Sequence, residues 1–210
     1  MDGAQAKGWS RRTFLGGAGL LAAAIGLPLA AIKFKLFDAD EAPSERQRSL
    51  MRTVSQIVIP ATDTPGAGDV GAGDFVLLGL AHGLEKSRRP LSADAPQSLA
   101  SFARKDGSLD QARWLEAELD ARAQSDFLKV TADRQAALVA ALDADAYAEG
   151  VRDHPWRTVK ALILTGYYTS EPGGARELQF ELVPGTYAPK VPVTPATRAF
   201  SSDWTAVDFG

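Results

Sequence analysis

The stretch SERQRSLMRTVSQIVIP, residues 44–60, predicts the helix from which the rest of the fold can be worked out. Ser44 is a typical N-cap residue, and Gln47 follows it at the spacing of a capping box, in which each side chain bonds the other residue's backbone N–H. Pro60 ends the segment, because proline cannot continue a helix. One face carries apolar residues at the helical period and is expected to face a core: Leu50, Val54, Ile57 and Val58.

Four segments further along the chain show the same combination of helical period and end signals. The sequence therefore predicts a mainly α fold of about five helices in one domain, with an extended, turn-rich C-terminal segment. The four further helices are expected at Phe75–Lys86, at Asp110–Ala123, from an N-cap at Thr131, and from Asp153-His154-Pro155, while Ser98–Arg104 adds a turn or two.

The character of the chain changes after Gly166, where turn residues become frequent. Leu178, Phe180 and Leu182 alternate with polar residues, which predicts a short strand or an extended segment. The final residues show no period, and such a tail is either disordered or an arm laid on a partner. The predicted organisation is a leader at 1–36, a helical domain at 37–193 and a C-terminal tail at 194–210.

Composition excludes several kinds of chemistry. The chain has 210 residues, of which 45% are hydrophobic and 23% charged, as is usual for a globular protein. Its net charge of −3 gives no basic footprint, so no nucleic-acid partner is expected. It has no cysteine, which excludes disulfides, thiolate nucleophiles, iron–sulfur clusters and covalently attached haem on this chain. Only two histidines, His82 and His154, are present, and they lie far apart in sequence.

An export signal is predicted at the N-terminus. Ser10 is followed by Arg11, Arg12, any residue, and then Phe14 and Leu15, which matches the pattern read by the twin-arginine translocase. The Ala- and Gly-rich apolar stretch 14–32 completes the signal and predicts export to the periplasm in the folded state. Cleavage near residues 30–31 and retention as a membrane anchor both stay open, because this stretch is barely long enough to span a bilayer.

No catalytic or cofactor motif accompanies this signal. A nucleophile elbow, a zinc-binding HExxH sequence, a phosphate-binding loop and a cluster of His or Cys ligands are all absent from the sequence. Residues 17–22 imitate a dinucleotide fingerprint, but they follow no predicted strand. Asp63, Asp69 and Asp74 lie in a turn-rich loop whose spacing fits no calcium-binding hand. By elimination, we expect no catalysis by this chain alone and no cofactor on it.

Two blocks of sequence are distinctive: IVIPATDTPGAGDVGAGDF, residues 57–75, and LTGYYTSEPGG with ELVPGTY, residues 164–174 and 181–187. Behind the twin-arginine pattern, these blocks resemble the gluconate 2-dehydrogenase subunit 3 family. The resemblance implies a small accessory subunit of a periplasmic FAD-dependent sugar or polyol dehydrogenase. The FAD is then expected on a large catalytic subunit of the glucose-methanol-choline type, and haem c on a multihaem cytochrome c partner. The small subunit is expected to support maturation of the large one and to supply its export signal.

The predicted partner interface consists of large side chains at irregular or terminal positions of elements, because such anchors dominate protein interfaces. These are Tyr167, Tyr168, Trp204 and Phe209. An alternative is that the two tyrosines cap the domain's own core. Two other functions also stay open: a self-sufficient exported enzyme with a site built from His82, His154 and the loop aspartates, and a membrane-anchored structural protein.

Overall fold

A computed structural model of the chain describes residues 42–180 together with 190, 192, 194, 197, 200 and 201. The fold is mainly α, as predicted. Its α-helices within the described residues are α1 Glu45–Val58, α2 Ala72–His82, α3 Gln97–Ala100, α4 Gln111–Ala123, α5 Ala132–Ala146 and α6 Pro155–Tyr168, with 3-10 turns at Leu84–Lys86 and Phe127–Lys129.

Helix α1 forms as its end signals predict. The Ser44 hydroxyl accepts from the Gln47 backbone N–H at 3.1 Å, and the Gln47 side chain accepts from the Ser44 N–H at 3.0 Å. This reciprocal pair satisfies two of the donors that a helix N-terminus leaves free. Leu50 and Val54 are fully buried, so the predicted apolar face does face the core.

Helix α2 differs from its predicted range of 75–86 at both ends. It begins at Ala72, directly after Gly71, whose φ of 82° only glycine adopts without strain. It ends at His82, because Gly83 is also left-handed and closes the last turn. A separate 3-10 turn, Leu84–Lys86, then continues the direction that the sequence suggested for the helix.

The later helices begin within a residue or two of their predicted starts, and the predicted N-cap Thr131 is confirmed. Asp110 accepts from the Arg113 N–H before α4, and Thr131 accepts from the Arg134 N–H before α5. The imidazole of His154 caps α6 by accepting from the Trp156 N–H at 3.2 Å, with Pro155 at the first helical position, where its missing N–H costs nothing.

Helix α2 packs between α1 and α6, and the core surrounds this pair of contacts. Gly73 lies against the α1 backbone, Gly79 against Leu162, and Gly166 against the ring of Phe75, so small residues allow the helices to approach closely. Each large apolar side chain buried there stabilises the fold by roughly 1.5–3 kcal/mol. The largest fully buried side chains include Trp156, Tyr167, Phe127, Leu50, Met51, Leu115, Leu119, Leu142, Leu162 and Ile163.

A π-helical turn, Pro172–Glu177, follows α6 and was not predicted from the sequence. The strand β1, Gln179–Phe180, comes next and pairs in parallel with β2, Phe200–Ser201. The extended segment expected around Leu178–Leu182 is therefore a two-residue strand in its described part. None of the helices within residues 42–180 has the length and apolar composition that crossing a membrane requires.

Candidate partner-binding surfaces

Six of the eight residues singled out from the sequence lie outside the described residues. They are the export residues Arg11, Arg12, Phe14 and Leu15, and the tail aromatics Trp204 and Phe209. Their roles stay predictions. The other two, Tyr167 and Tyr168, are neighbours at the end of α6.

Tyr167 belongs to the core of the chain, with only 1% of its surface exposed. The Thr64 hydroxyl donates to a Glu177 carboxylate oxygen at 2.7 Å, and the Tyr167 hydroxyl lies 3.3 Å from the same Thr64 oxygen. Because the single Thr64 proton goes to Glu177, the Tyr167 hydroxyl is the donor in the second bond. Tyr167 therefore connects α6 to the loop after α1 and to the π-helical turn, as the core-capping alternative supposed.

Tyr168 is the more accessible member of the pair. It is half-buried, and its ring meets that of Tyr167 edge-on at 5.2 Å between centroids. Burial raises the pKa of its phenol, and the nearby Glu177 and Tyr167 raise it further, so the hydroxyl stays protonated at neutral pH. Any contact of this pair with another subunit would thus be made chiefly through Tyr168, and that contact stays a prediction.

The Gly- and Asp-rich loop 60–74 is held against α1 by one side chain. The Gln56 amide donates to the Asp69 carboxylate at 3.0 Å and accepts from the Gly68 N–H at 2.9 Å. A Cβ atom at Gly66 or Gly68 would lie within 3 Å of the Gln56 side chain. The glycines in the first block of family resemblance therefore allow close packing. Within the part of the chain that the structure describes, no three potential ligands form a metal site.

Arg46 joins α1 to α4 through a network of carboxylates. Its guanidinium bonds Glu116, Asp120 at 2.8 Å and Asp126 at 2.9 Å. Burial acts to lower its pKa, but the hydrogen bonds to the three carboxylates outweigh burial and raise it above its ordinary value. The charges of this cluster therefore pair with one another within the fold.

A second ion pair joins α5 to α6. Lys160 donates to both oxygens of Asp143 at 2.7 and 2.9 Å, and the indole N–H of Trp156 donates to the same carboxylate at 2.7 Å. Burial alone would raise the pKa of Asp143, yet these two donors lower it. Asp143 is thus a structural carboxylate that anchors the buried Trp156.

The start of α6 borders a cleft of about 630 Å³, which we call the basic groove. Its other wall is the irregular segment 86–99. Lys86, Arg89 and Arg152 are exposed on it, and none of the three has an ion-pair partner among the described residues. Asp94 and Asp153 are the acidic residues that line it, so its unpaired cations outnumber its acids.

A buried glutamine lines the same groove. Gln111, at the start of α4, is 6% exposed and donates its amide N–H to the Ser87 carbonyl at 3.3 Å. Its side-chain oxygen is buried and accepts no hydrogen bond from the described residues. Buried polar atoms almost always have a partner, so this oxygen marks a position where a donor is wanted.

Sequence reasoning missed this groove, although one signal was available. The run KSRRP, residues 86–90, places three cations within five residues directly after the second helix. His154, considered for a dispersed catalytic site, also lines the groove, but its Nδ1 atom is occupied by capping α6. His82 lies at the exposed end of α2.

Comparison with protein families gives one match. The family model for gluconate 2-dehydrogenase subunit 3 covers residues 45–185, which is more than half of the chain and includes helices α1 to α6 of the described residues. No curated protein and no solved structure matches the chain.

Proposed function

The chain belongs to the gluconate 2-dehydrogenase subunit 3 family and is an accessory subunit of a dehydrogenase complex; on that basis we propose its specific role. It is the non-catalytic small subunit of a periplasmic FAD-dependent sugar, glucoside or polyol dehydrogenase. The catalytic subunit, of the glucose-methanol-choline type, binds the FAD and oxidises the substrate. The small subunit supports maturation of that subunit and brings it to the twin-arginine translocase.

The family match over residues 45–185 is the observation that carries this proposal. The twin-arginine pattern at residues 10–15 precedes the matched region on the same chain. Because this translocase moves folded proteins, a catalytic subunit that has already bound FAD could cross the membrane together with this chain. One signal would then serve two subunits. Membrane association through an uncleaved leader is the alternative location.

The chemistry of the described residues supports an accessory role. Asp69, one of the loop aspartates considered for a dispersed catalytic site, accepts from the Gln56 amide, and the Nδ1 atom of His154 caps α6. Those contacts stabilise the loop and the start of α6. The family resemblance supports a multihaem cytochrome c as a further partner of the complex.

The export role is tested by the double substitution Arg11→Lys and Arg12→Lys in cells that co-express the catalytic subunit. We expect both chains to stay in the cytoplasm, with flavin and dye-coupled sugar oxidation absent from the periplasmic fraction. Arg52→Lys with Arg134→Lys, two exposed arginines of the body, is the matched control and should leave export unchanged. Normal arrival of the catalytic subunit with the leader variant would refute the shared signal.

The accessory role is tested by purifying this chain alone and together with the catalytic subunit. The pair should carry flavin absorbance and oxidise the sugar, while the single chain should do neither. Bound flavin or sugar oxidation by the single chain would favour the self-sufficient enzyme instead.

A further inference from the structure

We propose that the basic groove is the docking site for an extended, acidic segment of the catalytic subunit. This inference rests on the proposed function, because it names the surface through which that partner is held. Three features of the groove carry it: its unpaired cations, its buried acceptor and its fixed, partly apolar walls.

The charges of the groove contrast with those elsewhere on the chain. Arg46 and Arg122 are each paired with carboxylates of neighbouring elements. Lys86, Arg89 and Arg152 have no ion-pair partner among the described residues, although the chain as a whole carries a net charge of −3. A local excess of positive charge on an acidic protein attracts a negatively charged segment, while the acidic surface elsewhere repels it, so the groove determines where such a segment binds.

The Gln111 side-chain oxygen indicates what kind of group enters the groove. It is buried, lines the cleft and has no donor among the described residues. The Gln111 amide N–H already bonds the Ser87 carbonyl, so the oxygen is the side-chain atom of Gln111 left without a partner among the described residues. A backbone N–H is the donor that any extended peptide presents at regular intervals. An acidic peptide therefore satisfies both the rim cations and the buried acceptor.

The walls of the groove are preformed. The Ser87 hydroxyl donates to the Leu80 carbonyl at 3.1 Å, and the Leu91 N–H donates to the Gly107 carbonyl at 2.9 Å, which fixes the irregular wall to the body. Leu91, Leu99 and Leu109 supply apolar surface between the charged rims. The volume of about 630 Å³ lies within the usual range of binding clefts. The fitting segment thus has an apolar residue flanked by Asp or Glu.

The test compares two double substitutions in the complex with the catalytic subunit. Arg89→Glu with Arg152→Glu reverses the sign of two charges in the groove. Arg52→Glu with Arg134→Glu makes the same charge change at exposed positions outside it. We expect the groove variant to bind at least about tenfold more weakly, and the control variant within about twofold of the unchanged chain. Binding of the unchanged chain should weaken as salt is raised.

The outcomes separate the inference from the proposed function. Unchanged affinity of the groove variant, with the unaltered chain still binding the catalytic subunit, would overturn the inference alone. Failure of the unaltered chain to bind the catalytic subunit would overturn both. Equal weakening by the groove and control variants would also overturn the inference, because it would show a general charge effect.

Gln111→Met tests the buried acceptor separately. It removes the unpartnered oxygen and also the amide N–H that bonds the Ser87 carbonyl, so we expect a somewhat lower melting temperature of the free chain together with weaker binding to the catalytic subunit, measured well below that temperature. The loss of affinity is the mark of a binding residue, since a purely structural residue would lower the melting temperature and spare affinity. The latter result would contradict the role assigned to Gln111.

Discussion

The two ends of helix α6 differ in how their polar groups are used. At the C-terminal end, Tyr167, Thr64 and Glu177 form a chain of hydrogen bonds within the fold, and Gly173 packs against the backbone of Tyr167. At the N-terminal end, the basic groove has cations and a Gln111 oxygen that have no partner among the residues the structure describes. We infer that the first end stabilises the subunit and the second is reserved for its partner.

Among the changes that test this difference between the two ends, Gly173→Ala is expected to have the largest effect on stability. A Cβ atom there would collide with the Tyr167 carbonyl oxygen, which is backbone and cannot move aside without displacing the end of α6. We expect a loss of about 3 kcal/mol in the free energy of unfolding, measured by urea denaturation. At Gly71 nothing lies within 4 Å, so Gly71→Ala should cost only the left-handed strain, about 1 kcal/mol. Equal losses of unfolding free energy for the two variants would contradict the close packing of Gly173 against Tyr167.

A smaller effect is expected from Tyr167→Phe. This change keeps the buried ring and removes the hydroxyl that bonds Thr64, so the free energy of unfolding should fall by about 1 kcal/mol. Tyr168→Phe is the control, because the phenol of Tyr168 has no hydrogen bond among the described residues, and it should change stability by less than about 0.5 kcal/mol. The prediction fails if the two variants are equally stable.

The smallest effect is the pH dependence of stability at the N-terminal end of α6. The pKa of His154 lies below its ordinary value, chiefly because of burial, with Arg122 and Arg157 opposing its charge and Glu118 and Asp145 favouring it. The unfolded chain therefore takes up a proton near the ordinary value of 6.5, before the folded chain does, and stability falls as pH decreases through that value. Protonation of His154 removes the acceptor Nδ1 atom that caps α6.

The variant His154→Asn isolates this titration. Asparagine also caps helices but does not titrate, so lowering the pH from about 7.5 to about 5.5 should reduce the melting temperature of the unchanged chain more than that of the variant. The carboxylates titrate alike in both proteins and cancel in the difference. Parallel melting curves over this range would show that His154 is not the responsible group.

Much of the fold could be predicted because its signals are local. Ser44 with Gln47 and Thr131 identify helix starts through bonds to residues three positions away, and Pro155 does so because the first helical position needs no N–H. The structure confirms each of these starts. The ends of α2 were predicted less well, since the glycines around it permit several backbone conformations. Packing of Gly73 against the α1 backbone is a tertiary contact, and it extends the helix to Ala72.

The basic groove could not be predicted from the sequence, because it too depends on tertiary contacts. Gln111 looks like an ordinary helix-start residue, and only the packing of Ser87 beside it shows that its oxygen is buried and unpartnered. Arg89 and Arg152 lie 63 positions apart in the chain and become one surface only in the fold. Tyr167 was singled out for its size and type, which suit an interface and a core equally well, and only the folded structure shows that it is buried with its hydroxyl against Thr64.

Hydrogen exchange of the chain, free and in complex with the catalytic subunit, tests the division between the two ends most directly. The account predicts that amides in residues 86–99 and 152–158 become protected in the complex, while those in 172–178 exchange at the same rate in both states. Protection confined to residues 168–178, with no change along the groove, would contradict it.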